Sequence, residues 1–195
     1  MAAAKKRLGT ESSATRALLV DATERLILDE GYAAVTARRV AERAGVKFQI
    51  IYYYFNSLDD LLLEVFQRGA EQNLERMQAA LESEHPLRAL WAHCTATPDN
   101  RFVIEFMAMA LHHETIRTAI AAHAEQLREL QVEAISRHLK ALGIEARLPP
   151  VLTSFLIASL SRSLLLESAL GMSSGHAEME ALVEECLGRF DTPAQ

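Results

Sequence analysis

A chain of 195 residues, half of them hydrophobic, is long enough for one compact core or for a small domain joined to a larger one. Its net charge of −6 excludes a protein that coats nucleic acid indiscriminately, and its two distant cysteines, Cys94 and Cys186, exclude a disulfide framework or a paired-cysteine metal site. Eight glycines and five prolines, few alternating segments, and long stretches of Ala, Leu, Glu and Arg predict an all-α fold of about nine helices.

The charge is unevenly spread. Residues 1 to 55 carry nine Lys or Arg against six Asp or Glu, a balance of plus three. The remainder holds eleven of the twenty basic residues and twenty of the twenty-six acidic ones, as suits a protein that meets phosphate at one end only. Residues 1–11 set Lys5, Lys6 and Arg7 among alanines and are expected as a flexible basic arm, either a minor-groove binder or a solubilising tail.

Residues 12–57 read as a three-helix head. Ser12 or Ser13 caps a helix to Glu30 with Leu19, Ala22, Leu26 and Ile27 inward, and Gly31 ends it. Thr36 caps a second, short helix with the apolar stripe Val40, Ala41 and Ala44. Gly45 permits the left-handed backbone of a tight turn, and Val46 plugs the space between the two helices. The third helix, Lys47 to Tyr54, turns Lys47, Phe48, Gln49, Tyr52 and Tyr53 outward, with Ile50 or Ile51 and Tyr54 inward. Such a face suits a DNA groove: Lys and Gln reach base edges or phosphates, and tyrosine hydroxyls reach flanking phosphates.

The run A-G-V-x-x-x-x-I-Y-Y-Y-F-N-S, preceded by T-x-R-x-V-A, resembles the signature of the TetR family of bacterial repressors. The motif-grade similarity covers residues 14 to 66. It implies a homodimer whose helix-turn-helix binds double-stranded operator DNA, with Thr36 and Arg38 beside the recognition helix, and whose larger C-terminal domain binds a small inducer. Lys47 stands where a serine or threonine commonly caps the recognition helix, and Leu58 where a lysine commonly touches phosphate.

Residues 58–195 read as the helical ligand-binding and dimerisation domain. Asn56 or Ser57 caps a long helix carrying Leu61, Leu62, Val65, Phe66, Met77 and Leu81, with Gly69 in its interior marking close packing or a bend. Pro86 opens the next helix, and Thr97-Pro98-Asp99 restarts the chain ahead of Phe102, Val103, Phe106, Met107, Met109 and Ala110. That soft apolar face suits a core or a pocket. His112, His113 and Glu114 lack the spacing of helical metal ligands, since adjacent helix residues point about 100° apart, so no metal and no cofactor are expected. The candidate pocket therefore takes Trp91, Phe102, Phe106, Met107, Met109 and Phe155 as apolar lining, with His113, His123 and Arg162 as polar groups. A helix opened by Leu148-Pro149-Pro150 is apolar on more than one face, and a last helix carries Met179, Leu182, Val183, Cys186, Leu187 and Phe190. Either both finish the subunit core, or Leu160, Leu164, Met179, Val183 and Leu187 meet the same pair in a second subunit.

Gly-rich phosphate loops, G-x-S-x-G nucleophile motifs and readable acid-base pairs are lacking, so no catalytic residues are assigned. No run of about 18 uncharged apolar residues occurs and the N-terminus lacks a signal-peptide core, so a cytoplasmic protein without membrane contact is expected. The reading is a ligand-responsive DNA-binding regulator released from its operator by a hydrophobic small molecule; the alternatives are a DNA-binding dimer without a ligand and a helical enzyme.

Overall fold

A computed structural model describes residues 2–95, 100–143 and 149–190, with residues 2–13 and 100 described in backbone only. Among these residues are nine α-helices and no strand: α1 (Ala2–Glu30), α2 (Ala37–Ala44), α3 (Gln49–Tyr54), α4 (Leu58–Leu81), α5 (Pro86–Thr95), α6 (Asn100–Ala110), α7 (Glu114–Ala141), α8 (Pro150–Ala169) and α9 (His176–Phe190). A single 3-10 turn, Tyr32–Ala34, follows α1. The all-α architecture expected from composition is the one observed, with a helix-turn-helix near the N-terminus and a helical domain after it.

Most helix ends follow local chemistry. Ser57, not Asn56, caps α4: its hydroxyl accepts from Asp60 N at 3.1 Å, and Asp59 and Asp60 add negative charge to the first turn. Pro86 stands at the start of α5, where its missing N–H costs nothing. The sequence places the first cap at Ser12 or Ser13, but α1 begins at Ala2 and takes in a stretch rich in Ala, Lys, Arg and Leu, all strong helix formers. The restart expected at Thr97-Pro98-Asp99 and the Leu148 of the α8 opening lie outside the described residues.

The helices gather into two compact units. One takes the chain up to Ala70 together with Arg101–Ala121; the other takes Glu71–Asn100 together with the chain from Ala122 onward. In the first, Leu19, Leu26 and Ile27 of α1 meet Val40, Ile51, Leu61 and Val65 of the next three helices, and Phe106, Met109 and Ile116 complete the cluster, each no more than 2% exposed. Burial of each such side chain stabilises by roughly 1.5–3 kcal/mol, so the facing apolar stripes fix the helix arrangement. In the second, Met77, Leu87, Leu90, Trp91, Ile135 and Leu139 form the core, closed by Ile157, Val183 and Leu187.

Polar groups inside the second unit are partnered. Buried Ser154 donates its hydroxyl to Gln131 Oε1 at 2.6 Å, and His138 Nε2 donates to the Phe190 carbonyl at 3.1 Å, closing the end of α9. By length and hydropathy alone α8 could cross a membrane. Its buried side nevertheless carries Thr153, Ser154 and Ser161, whose hydroxyls bond to Pro149 O, Gln131 and Ala158 O, as in a helix of a packed bundle.

Candidate nucleic-acid interface

The head is built around a short turn between two short helices. The Thr36 hydroxyl accepts from Arg39 N at 3.3 Å and so caps α2. Gly45 ends it at φ 67, ψ 28, and the Val46 N–H donates to Ala41 O at 2.9 Å across the glycine. Val46 then packs against the head core, as its plugging role requires.

The sequence starts the recognition helix at Lys47, whereas α3 begins at Gln49. Lys47 offers no side-chain acceptor to the free amides, and the first turn is closed by short-range bonds from Ile50 N to Lys47 O (2.9 Å) and Ile51 N to Phe48 O (3.2 Å). Ile51, fully buried, and Phe55, 4% exposed, are the two anchors; Ile50 and Tyr54 are half-buried against the core edge. This leaves Lys47, Phe48, Gln49, Tyr52 and Tyr53 outward, Tyr53 being 77% exposed. Gln49, Tyr52 and Tyr53 share one side through their spacing of three and four.

Arginines in the head divide by role. Arg39 pairs with Glu30, and Arg43 with Asp29 and Glu30, lashing α2 to the end of α1. The hydrogen bond that Arg39 donates to Glu30 is the main cause of the rise in Arg39's pKa. Arg38 and Lys47, both exposed, have no carboxylate partner among the described residues, so their charge is available to phosphate. The role of Arg39 and Arg43 as tethers had no signal in the sequence, because their partners lie on another helix.

The nine residues expected to line a pocket are divided between the two units. Phe106 and Met109 are core of the unit that holds the head, Phe102 stacks on Phe106 at 4.4 Å, and Phe106 meets Phe66 at 5.4 Å. Met107 is exposed, and His113 Nδ1 lies 3.3 Å from Asp59 Oδ1 in the same unit. Trp91 and His123 belong to the other unit, Trp91 in its core. His123 Nε2 and His93 Nε2 both meet Asn73, at 3.3 and 3.1 Å, and burial lowers the His123 pKa, which favours the neutral imidazole. Phe155 and Arg162 are exposed on α8, with the Arg128 guanidinium 5.6 Å from the Phe155 ring centroid.

Two of the five expected dimer residues are buried and three are half-buried. Val183 and Leu187 are core, and Leu160, Leu164 and Met179 pack on that core. The apolar side chains left outside on α8 are Val151, Leu152, Phe155, Leu156 and Leu166, because one apolar face of this helix is used up within the subunit. Cys94 is half-buried and Cys186 is exposed.

Residues 19–65 match the sequence profile of bacterial regulatory proteins of the tetR family. The fatty acid metabolism regulator protein of Bacillus subtilis strain 168 is 30% identical over 66 residues, 34% of this chain and 34% of that one. The HTH-type transcriptional regulator BetI of Rhizobium meliloti strain 1021 is 28% identical over 145 residues, 69% of this chain and 66% of the relative. The chain thus spans about a third of the first relative and about two thirds of the second. Among solved structures, a TetR transcription regulator from Haloarcula marismortui ATCC 43049 superposes with a TM-score of 0.74 at 16% identity, covering 92% of this chain and 97% of that one. A protein from Saccharomonospora viridis, described as a transcriptional regulator and solved with choline, gives 0.76 at 19% identity, covering 91% and 95%. The match falls on the same helix-turn-helix that Thr36, Gly45 and Ile51 shape, so this part of the chain is similar to the tetR family of bacterial regulatory proteins, and the whole chain shares the fold of the solved TetR regulator.

Proposed function

We propose that the chain is a DNA-binding transcriptional regulator, not an enzyme, that reads a pseudo-palindromic operator as a homodimer and is released by a small organic ligand. The observation that carries the DNA reading is the outward face of α3, where Gln49, Tyr52 and Tyr53 stand on a helix pinned by Ile51 and Phe55, with exposed Lys47 just ahead of it. A six-residue helix held this way presents hydrogen-bonding side chains without a mobile backbone beneath them, as major-groove readout requires. Arg38 and the Thr36 end of α2 supply further contacts to phosphate.

Dimerisation is assigned to the outer side of α8. Val151, Leu152, Phe155, Leu156 and Leu166 form an exposed apolar row on one helix, and a symmetric partner would cover it. For the ligand, the supporting feature is the polar chain His93, Asn73 and His123 in the unit that also holds Trp91. An imidazole and an amide in the unit that holds the apolar core around Trp91 suit an uncharged or amphipathic organic molecule. Phe106 and Met109, being core of the other unit, are left out of this assignment.

The direct test is a mobility-shift assay with DNA from around the protein's own gene. Binding that saturates and survives competitor DNA supports the regulator. A ligand panel that includes choline and amphipathic organic acids is then read by thermal shift and by release of the DNA. Specific DNA binding with no response to any ligand would favour a regulator without an inducer, and no specific binding would remove the reading.

A further inference from the structure

The Tyr32 N–H opens the 3-10 turn after α1, and the first amides of a helical turn have no acceptor within it. An N-cap side chain accepts from the second or third of these amides and not from the first, and here the N-cap is Gly31, which has no side chain. The acceptor comes from α6: Glu105 Oε2 lies 2.8 Å from Tyr32 N, 73 positions away in sequence. Its Oε1 stands 3.2 Å from where a Cβ on Gly31 would be, so the carboxylate fills the space a side chain there would need.

Further contacts gather around the same turn. Arg101, one turn before Glu105 on α6, reaches Asp29 O at 3.4 Å. Arg39 reaches Ala34 O at 3.5 Å and pairs with Glu30. Phe102 and Phe106 flank Glu105 in sequence and pack into the head's own core, which holds α6 in place. From the turn the chain passes through buried Val35 to the Thr36 cap of α2, and then through Gly45 to α3.

We propose that Glu105 is a positioning residue for DNA recognition: its carboxylate caps the Gly31–Tyr32 turn from outside the helix-turn-helix and so sets the angle at which α2 and α3 are presented. The proposal rests on the DNA-binding reading above. A bond between a carboxylate and a backbone N–H is among the stronger kinds, and Glu105 is the acceptor for Tyr32 N–H among the described residues.

The experiment compares wild type, Glu105→Ala and Glu105→Gln in the full-length protein. It measures DNA affinity, melting temperature and the hydrogen-exchange rate of the Tyr32 amide. Glu105→Ala should bind DNA about tenfold more weakly and expose the Tyr32 amide to exchange about tenfold faster, as expected for a lost charge-assisted bond. Glu105→Gln keeps an acceptor oxygen and should recover most of both, which a general loss of packing would not do. Wild-type affinity in Glu105→Ala would overturn the proposal. So would weak binding in Glu105→Gln with the Tyr32 amide still protected, because the cap would be intact while binding was lost. If the wild type itself bound no DNA, the DNA-binding reading would fall and this proposal with it; wild-type binding matched by Glu105→Ala would remove the proposal alone.

Discussion

The ring of Phe102 on α6 lies against the bare backbone of Gly69 on α4, where an added Cβ would stand 2.9 Å from Phe102 Cζ. Glycine inside a helix costs about 1 kcal/mol relative to alanine, so the residue is retained at a cost that close packing offsets. Phe106, 4.4 Å from Phe102 between ring centroids, limits how far the ring can retreat. Gly69→Ala should therefore give little or no stabilisation in the wild type, and about 1 kcal/mol in a Phe102→Ala background. Denaturant unfolding of the four proteins measures the coupling. Equal stabilisation in both backgrounds would show that the ring yields freely.

The second prediction separates subunit core from subunit interface. Phe155→Glu places a carboxylate beside Arg128, whose guanidinium already covers the ring, so the subunit should keep its fold. Two such carboxylates brought together across a symmetric interface would oppose association. Sedimentation should show monomers for Phe155→Glu. Leu187→Glu, by contrast, buries a charge in the subunit core and should lose helical content outright. A Phe155→Glu protein that still sediments as a dimer would move the interface away from this side of α8.

How much of this was legible in the sequence depends on the range of the interaction. Thr36, Gly45 and Val46 act within a few residues of themselves, so the cap, the turn and the plug could be read directly. The outward set Lys47, Phe48, Gln49, Tyr52 and Tyr53 was readable for the same reason, while the choice between Ile50 and Ile51 as the anchor needed the packing around them. Periodicity announces that a helix has an apolar face but not what covers it. Of the residues read as an interface, Val183 and Leu187 accordingly lie in the subunit core, and Leu160, Leu164 and Met179 pack half-buried against it. The split of Phe106 and Met109 from Trp91, and the contact from Glu105 to Tyr32, arise from residues far apart in the chain, where spacing carries no information.

Cys94 gives a prediction in pH. Burial pushes its thiol up from an ordinary 9.0 to about 11, against the Ser161 hydrogen bond and the Arg162 and Arg128 charges. Between those values the unfolded chain has released the proton and the folded chain still holds it, so the unfolded state binds fewer protons and stability falls as pH rises. Melting temperature should drop through this window more steeply in wild type than in Cys94→Ala. At neutral pH, exposed Cys186 should alkylate readily and Cys94 slowly. Identical pH slopes in the two proteins, or equal alkylation of the two thiols, would contradict the burial argument.

The last prediction assigns separate roles on the reading face. Lys47 is exposed and has no carboxylate partner among the described residues, so its contact is taken to be with phosphate. Lys47→Ala should then weaken binding to all sequences alike and reduce the slope of log affinity against log salt by about one. Tyr52, 54% exposed and one turn beyond Gln49, should act through its hydroxyl on a flanking phosphate, so Tyr52→Phe should weaken binding without altering preference. Gln49 is different: a side-chain amide matches the edge of adenine, and Gln49→Ala should relax base preference at one position per half-site by about 1–3 kcal/mol. Two recognition helices in a symmetric dimer would place those half-sites roughly 34 to 36 Å apart, which footprinting can measure. Salt titrations on the wild-type site and on single-base variants distinguish the three roles. If Gln49→Ala lost affinity uniformly and Lys47→Ala changed preference, the assignments would be exchanged. If none of the three variants changed affinity or preference, α3 would not be the element that reads DNA.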